Sequence, residues 1–207
     1  MKMNLKSIDN KILSRIYGHG RGWVFTPNDF KDLGSRNAVA SSLKRYKQSG
    51  QIRQLARGLY DYPKSDHQLG LLLPSSDDIA KALAGRDAAR LQPTGAYAAN
   101  LLGLSTQVPM KVTYLTDSLS RTVQVGNRQI ILKRTTPRNM ATAGRISGLV
   151  IQALRHIGRK NVDDQIIAQL DRVLGTQARS QLMKDVRYAP AWIADIFRNL
   201  ALEEVSA

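Results

Sequence analysis

Along residues 7–63 the apolar positions repeat twice with helical spacing and then turn to short extended runs. Ile8, Ile12, Leu13 and Ile16 share one face behind Ser7, a suitable N-cap, and Gly18 closes the pattern, so a first helix is expected there. Thr26, Pro27 and Asp29 supply a capping hydroxyl, a proline for the first helical position and a capping-box carboxylate, which predicts a short second helix ending at Gly34. Ser35 caps a third, in which Val39, Leu43 and Tyr46 recur at i, i+4 and i+7 and Gly50 ends the run. The extended segments Gln51 to Leu55 and Leu59 to Tyr62 flank Ala56-Arg57-Gly58, where glycine provides the positive φ of a hairpin turn, and Pro63 ends the unit. Two helices, a third across a tight break and a β-hairpin predict a winged helix-turn-helix over residues 1–65.

The remainder, residues 72–207, reads as a mixed α/β unit. Ser75 to Asp78 start a helix carrying Ile79, Ala80, Ala82 and Leu83, and an alanine-rich helix runs from Thr94 to Leu102. Three β-rich segments follow in the region 110–135: Lys111 to Thr116, Arg121 to Val125 and Arg128 to Lys133, the last two joined by Gly126-Asn127 into an antiparallel hairpin. The region 144–203 is helical, with segments starting near Ile146, Val162, Gln177 and Ala191 and boundaries at Gly158, Gly175 and Pro190. The small residues Gly144, Ser147 and Gly148 suit a close helix contact, and Trp192, Ile193, Ile196, Phe197 and Leu200 form an apolar face for the core. The fold class expected is α+β: a winged helix-turn-helix, then a mixed α/β unit with a small antiparallel sheet and a C-terminal helical region.

Composition narrows the chemistry. The 207 residues contain no cysteine and three separated histidines, His19, His67 and His156, so neither thiol chemistry nor a metal site is expected, and no cofactor. The aspartate pairs Asp77-Asp78 and Asp163-Asp164 stand at helix starts, where capping explains them better than Mg²⁺ binding. Gly18, Gly20 and Gly22 follow a helix instead of a strand, with no Gly-Lys-Ser/Thr, and read as a turn instead of a phosphate loop. No nucleophile and base lie together, so the chain is not expected to be an enzyme. The segment to Leu13 carries Lys2, Lys6 and Lys11 without an apolar run, and residues 91–110 are broken by Pro93, Gly95, Gly103 and Pro109; neither a secretory signal nor a membrane span is expected, and the location expected is the cytoplasm.

Charge points to the partner. Thirty-one Lys and Arg against sixteen Asp and Glu give a net charge of +15, which favours a polyanion. With Val39, Leu43 and Tyr46 turned inward, the third helix presents Arg36, Asn37, Ala40, Ser41, Lys44, Lys47 and Gln48, with no acidic residue between Gly34 and Gln51. Arg36 can hydrogen-bond guanine O6 and N7, Asn37 can pair with adenine N6 and N7, and Ala40 and Ser41 allow close approach to a major groove. Lys44, Arg45 and Lys47 suit phosphates, and Arg53 and Arg57 on or beside the hairpin can reach the flanking backbone or a minor groove. A second basic stretch, residues 118–162, has no acidic residue and includes Arg121, Arg128, Lys133, Arg134, Arg138 and Arg145, a surface for nucleic acid or an acidic protein.

Two blocks carry a family resemblance. Leu43-Lys44-Arg45-Tyr46 with Gly50 to Pro63, and Thr94 to Leu104 further on, resemble the AbiEi-type antitoxins over roughly residues 5 to 135. The resemblance implies the antitoxin half of a two-gene abortive-infection module, which binds repeats in its own promoter and represses its operon, opposite a nucleotidyltransferase-like toxin. By position it implies DNA contacts at Arg36, Asn37, Ser41, Lys44, Arg53 and Arg57, and double-stranded promoter DNA as the partner of a protein that is a monomer in solution or a dimer on repeats. The alternatives are a plain winged-helix transcriptional regulator, or an RNA-binding module without a toxin partner; the 6% aromatic content speaks against RNA, which is often held by exposed rings.

Overall fold

A computed structural model describes residues 7–85 and 89–202, a mixed α+β chain with eight α-helices and three small sheets among those residues. Lys2 and Lys6 of the amino-terminal segment, and residue 203 of the expected helical region, lie outside the described residues. Two compact units form: residues 1–89 with 123–130, and residues 90–122 with 131–207. This division does not fall between residues 65 and 72, because the helix after Ser75 packs with the first unit.

In the first unit, α1 (Ile8–His19) starts where Ser7 Oγ accepts from Asn10 N at 3.2 Å, and it runs past Gly18 to end at Gly20, φ +82°. The second helix that the sequence suggests is only a 3-10 turn, Pro27–Phe30. Its cap forms, with Asp29 Oδ2 accepting from Thr26 N at 2.8 Å. The turn does not propagate as an α-helix: Leu33 N bonds to Phe30 O at 2.9 Å instead of to Asp29 O, and the Asp29 carbonyl accepts from Arg15 at 2.6 Å. The predicted third helix is α2 (Arg36–Gln48), capped by Ser35 Oγ on Ala38 N at 3.3 Å. Val39, Leu43 and Tyr46 meet Ile12, Ile16, Phe25, Phe30 and Ile52 in one apolar cluster.

The hairpin is β2 (Arg53–Ala56) and β3 (Leu59–Asp61), turning at Gly58 with φ +73°. A two-residue strand, β1 (Val24–Phe25), pairs antiparallel with β3, giving the order β1-β3-β2 with Phe25 opposite Tyr60. A second small hairpin, β4 (Ser65–Asp66) with β5 (Gly70–Leu71), follows it. Helix α3 (Ser76–Ala84), capped by Ser75 Oγ on Asp78 N at 3.1 Å, buries Ile79, Ala80 and Leu83.

The second unit holds most of a four-stranded sheet ordered β6-β7-β9-β8, from β6 (Leu91–Thr94), β7 (Lys111–Thr116), β8 (Arg121–Val125) and β9 (Arg128–Arg134). Strand β6 is antiparallel to β7, with Pro93 opposite Tyr114, and lies at the sheet edge, where a residue lacking an N–H is tolerated. Helix α4 (Gly95–Leu101) follows it, and Tyr97 meets Tyr114 edge to face at 5.7 Å. Four more helices, α5 (Ile146–Ile157), α6 (Asp164–Val173), α7 (Thr176–Asp185) and α8 (Ala191–Leu202), share a core with α4 through Ala98, Leu154, Leu170, Leu182 and Phe197. The apolar face of α8 is covered at home: Ile193, Phe197 and Leu200 are all at most 1% exposed. Among the described residues no helix is long and apolar enough to cross a membrane.

Gly148, in the first turn of α5, is the glycine with the least room for a side chain. A Cβ at this position would overlap the Thr142 carbonyl oxygen and Gln92 Oε1. Gly148→Ala is therefore expected to cost about 1–3 kcal/mol by overpacking. Gly18→Ala, on an open part of α1 with nothing within 4 Å, is expected to gain up to about 1 kcal/mol. Urea unfolding of the two variants checks both signs.

Candidate nucleic-acid interface

What α2 exposes is decided by how α1 holds it. The Asp9 carboxylate on α1 accepts from Ser42 Oγ, and from Arg45 Nη2 at 2.6 and 2.7 Å; the Asp9 carbonyl accepts from Tyr46 Oη at 2.6 Å. Ser42 is buried, and its Oγ also lies 2.9 Å from Ala38 O, an alternative acceptor for its single proton. Three side chains along one side of α2 thus converge on a single residue, beside the buried Val39 and Leu43. The Ser42 hydrogen bond, then the Arg45 guanidinium, hold the Asp9 carboxyl below its ordinary range against the opposing effect of burial. Burial, with the Asp9 charge behind it, pushes the Tyr46 hydroxyl up to about 12, so it remains a donor.

With that side fixed, Arg36, Asn37, Ala40, Ser41, Lys44, Lys47 and Gln48 are exposed. Asn37, Ser41, Lys44 and Gln48 repeat at i, i+4, i+7 and i+11, a single stripe about 16 Å long at 1.5 Å rise per residue. Arg36 and Ala40 lie alongside it. Among the described residues, Arg36, Asn37, Ser41 and Lys44 have no hydrogen-bond or ion-pair partner within the chain, and neither does Arg57 at the turn between β2 and β3. A strip of cations, an amide and a hydroxyl with no internal partners can hydrogen-bond base edges and phosphates.

Three of the residues expected to contact DNA have other engagements. Arg45 is ion-paired with Asp9, although its side chain is still 56% exposed. Lys47 Nζ donates to Gln54 Oε1 at 2.7 Å, tying α2 to β2. Arg53 departs furthest from the expectation. Its guanidinium meets Asp61 at 2.5 and 3.1 Å and the Leu72 carbonyl at 2.7 Å, and the Asp61 side chain is 1% exposed. A buried carboxylate needs its counter-ion, and this holds Arg53 within the fold instead of leaving it free on the hairpin. Antiparallel register places Arg53 directly opposite Asp61 across the turn, a cross-strand pairing that the hairpin pattern itself contains. Gln48 was not among the expected contacts, yet its place in the α2 stripe follows from the same helical spacing.

The second basic stretch is also divided. Arg121, Lys133, Arg134 and Arg138 are exposed without an ion-pair partner among the described residues. Arg128 is half-buried, 3.4 Å from the Pro74 carbonyl. Arg145 is ion-paired at 2.6 Å with the buried Asp185, which also accepts from Ser147 Oγ and, at 2.8 Å, from Gln181 Nε2. Asp78 accepts from Ser75 Oγ at 2.6 Å, and Asp163 accepts from Ile166 N at 2.9 Å, so one member of each aspartate pair serves a helix start. Among the described residues no three His, Cys, Asp or Glu side chains are grouped to hold a metal ion.

The chain belongs to a family of unknown function (DUF6088), whose model matches residues 11–182. No curated protein matches it.

Two measurements separate holding from contacting. Arg53→Met leaves Asp61 buried without its partner and is expected to cost about 3 kcal/mol of stability, whereas Arg57→Ala, exposed at the turn, is expected to change it by less than about 0.5 kcal/mol. Chemical denaturation reads both. Because the folded-state value of Asp9 is lowered, its carboxylate contributes stability above the ordinary carboxylate range, and that stability is lost as pH falls through the lowered value. The stability gap between the parent protein and Asp9→Asn should thus be full at neutral pH and shrink below about pH 4; a gap independent of pH would contradict a role for the ionised group.

Proposed function

We propose that residues 1–65 act as a winged helix-turn-helix that binds double-stranded promoter DNA, with α2 as the recognition helix and the β2–β3 turn as the wing, and that the protein represses its own operon. The observation that carries this reading is the outer face of α2, cationic and amide-bearing, free of acidic residues, and fixed in direction by Asp9. Arg36 and Asn37, at the amino-terminal end of the helix, read base edges; Ser41 and Lys44 follow along the groove, and Gln48 continues the stripe. Arg57 reaches the flanking backbone from the turn. Arg45 is assigned a positioning role through Asp9, and Arg53 a structural one through Asp61. RNA recognition by stacking is less well supported, since Tyr17 is the one aromatic among the exposed large apolar side chains of the described residues.

The biological role follows from the two blocks that resemble AbiEi-type antitoxins. We infer an antitoxin of the cytoplasm that opposes a nucleotidyltransferase-like toxin encoded beside it, with two copies recruited side by side on promoter repeats. A neighbouring gene that is harmful when expressed alone and tolerated beside this one supports that role. A neighbour without effect leaves a plain transcriptional regulator.

Arg36→Ala and Asn37→Ala should each cost roughly 1–3 kcal/mol at one base pair and relax preference there. Lys44→Ala should instead weaken all duplexes alike and reduce the salt slope by about 1. Footprinting of the region upstream of the gene, with binding titrations at several salt concentrations, reads both effects. An unchanged footprint for Arg36→Ala and Asn37→Ala would remove α2 from the recognition role.

A further inference from the structure

The second unit has a cationic surface of its own, assembled at one end of the sheet. The end of β9 and the residue after it are fastened there to the end of β7 and the loop that follows it: Arg134 N donates to Ser120 Oγ at 3.0 Å, and Thr135 N to Thr116 O at 2.9 Å. Asn139 Nδ2 donates to Thr135 Oγ1 at 2.9 Å, and the backbone from Thr136 to Arg145 runs as a series of turns. This clasp brings the start of β8, the end of β9 and the first turn beyond it together, and with them Arg121, Lys133, Arg134 and Arg138, all exposed.

The neighbouring carboxylate does not offset them. Asp117 accepts from Arg90 through the backbone N at 2.9 Å and through Nε at 2.8 Å, while Arg90 Nη1 donates to the Met140 carbonyl at 3.1 Å. Asp117 is thus matched by a fifth cation, Arg90, and Arg121, Lys133, Arg134 and Arg138 have no ion-pair partner among the described residues. Ser118, Ser120, Thr135 and Thr136 supply hydroxyls among the cations. Leu119 is the one large apolar side chain exposed in residues 117–121 and 133–138. An apolar core of the kind that protein partners share is missing, while guanidinium groups interleaved with hydroxyls are the usual donors to phosphate oxygens.

We propose that this sheet end, through Arg121, Lys133, Arg134 and Arg138, is a second nucleic-acid contact that binds the phosphate backbone without reading sequence. The inference shares its ligand class with the function proposed above but none of its residues, so each can fail alone. Phosphate contacts of this kind add affinity equally to all duplexes and appear in the salt dependence.

The test uses the full chain, a fluorescent duplex from the region upstream of the gene and a scrambled duplex of the same composition. The triple variant Arg121→Gln, Arg134→Gln, Arg138→Gln should bind both duplexes more weakly, on the order of tenfold at moderate salt, with the salt slope reduced by about 2 to 3. The triple Arg→Lys variant at the same positions should retain most of the affinity, and an unchanged melting temperature shows that both variants are folded. If the Gln variant keeps both the affinity and the slope of the parent while Arg36→Ala loses preference for the upstream duplex, this inference is overturned and the α2 reading stands. If the Gln variant weakens binding while Arg36→Ala and Asn37→Ala change nothing, the α2 reading falls and this one stands. No binding of either duplex by the parent overturns both. Displacement of the duplex by poly-glutamate as readily as by unlabelled duplex would assign the surface to an acidic protein and also overturn the inference.

Discussion

The first unit depends on the convergence of α2 on Asp9. An amphipathic helix can rotate about its axis by a fraction of a turn and still bury much of the same apolar stripe, so Val39 and Leu43 alone do not fix which polar residues face outward. Asp9 removes that freedom by offering the carboxylate to Ser42 and Arg45 and the carbonyl to Tyr46. These contacts lie on the turns that carry Val39, Leu43 and Tyr46, so the buried side of α2 is defined by both packing and hydrogen-bond direction. The outward side, from Arg36 to Gln48, is fixed as a consequence. A recognition surface gains affinity when its side chains need no rearrangement to meet a partner, and this is the physical content of the proposal for α2.

Not every arginine on a basic surface is available to a ligand. The ion pairs are not alike, and burial decides which matters most to the fold. Arg45 is exposed and Asp9 partly so, so the Coulomb gain is screened and the pair acts chiefly through direction. Asp61 is enclosed, and its loss of hydration is offset only while Arg53 stays in place. Arg145 with Asp185 repeats that arrangement in the second unit. Of the arginines singled out for binding, Arg36, Arg57, Arg121, Arg134 and Arg138 are neither ion-paired nor buried among the described residues. Net charge of +15 therefore overstates the cationic surface that is free to bind, and the free part occupies particular places.

How much the sequence revealed follows from how local each signal was. Helices α1, α2, α3 and α8 are recognisable because their caps and apolar repeats lie within a few turns of chain, and the β8–β9 turn because Gly126 and Asn127 stand between two extended runs. Strand β1 has two residues, too few for any period, and exists because β3 offers it a partner. Strand β6 is hidden by Pro93, which reads as a strand breaker until its edge position is known. The second helix stays a 3-10 turn, and the contact made on its Asp29 carbonyl comes from Arg15 of α1, outside any local pattern. At the candidate site, the exposed stripe was legible from spacing alone. The Asp9 convergence was not, since Ser42 and Arg45 lie 33 and 36 residues away in the chain.

The proposal for α2 requires its outer face to lie against duplex DNA. Site-directed photocrosslinking tests it most directly: a benzophenone side chain is placed at position 41 in the middle of the stripe, or at the exposed Lys184 on α7 as a comparison, and each protein is irradiated with a duplex from upstream of the gene. With α2 in the groove, position 41 gives a strong covalent adduct with the duplex, lost in excess unlabelled duplex, and position 184 gives little. Saturated binding with no adduct from position 41, or equal yields from the two positions, would contradict it.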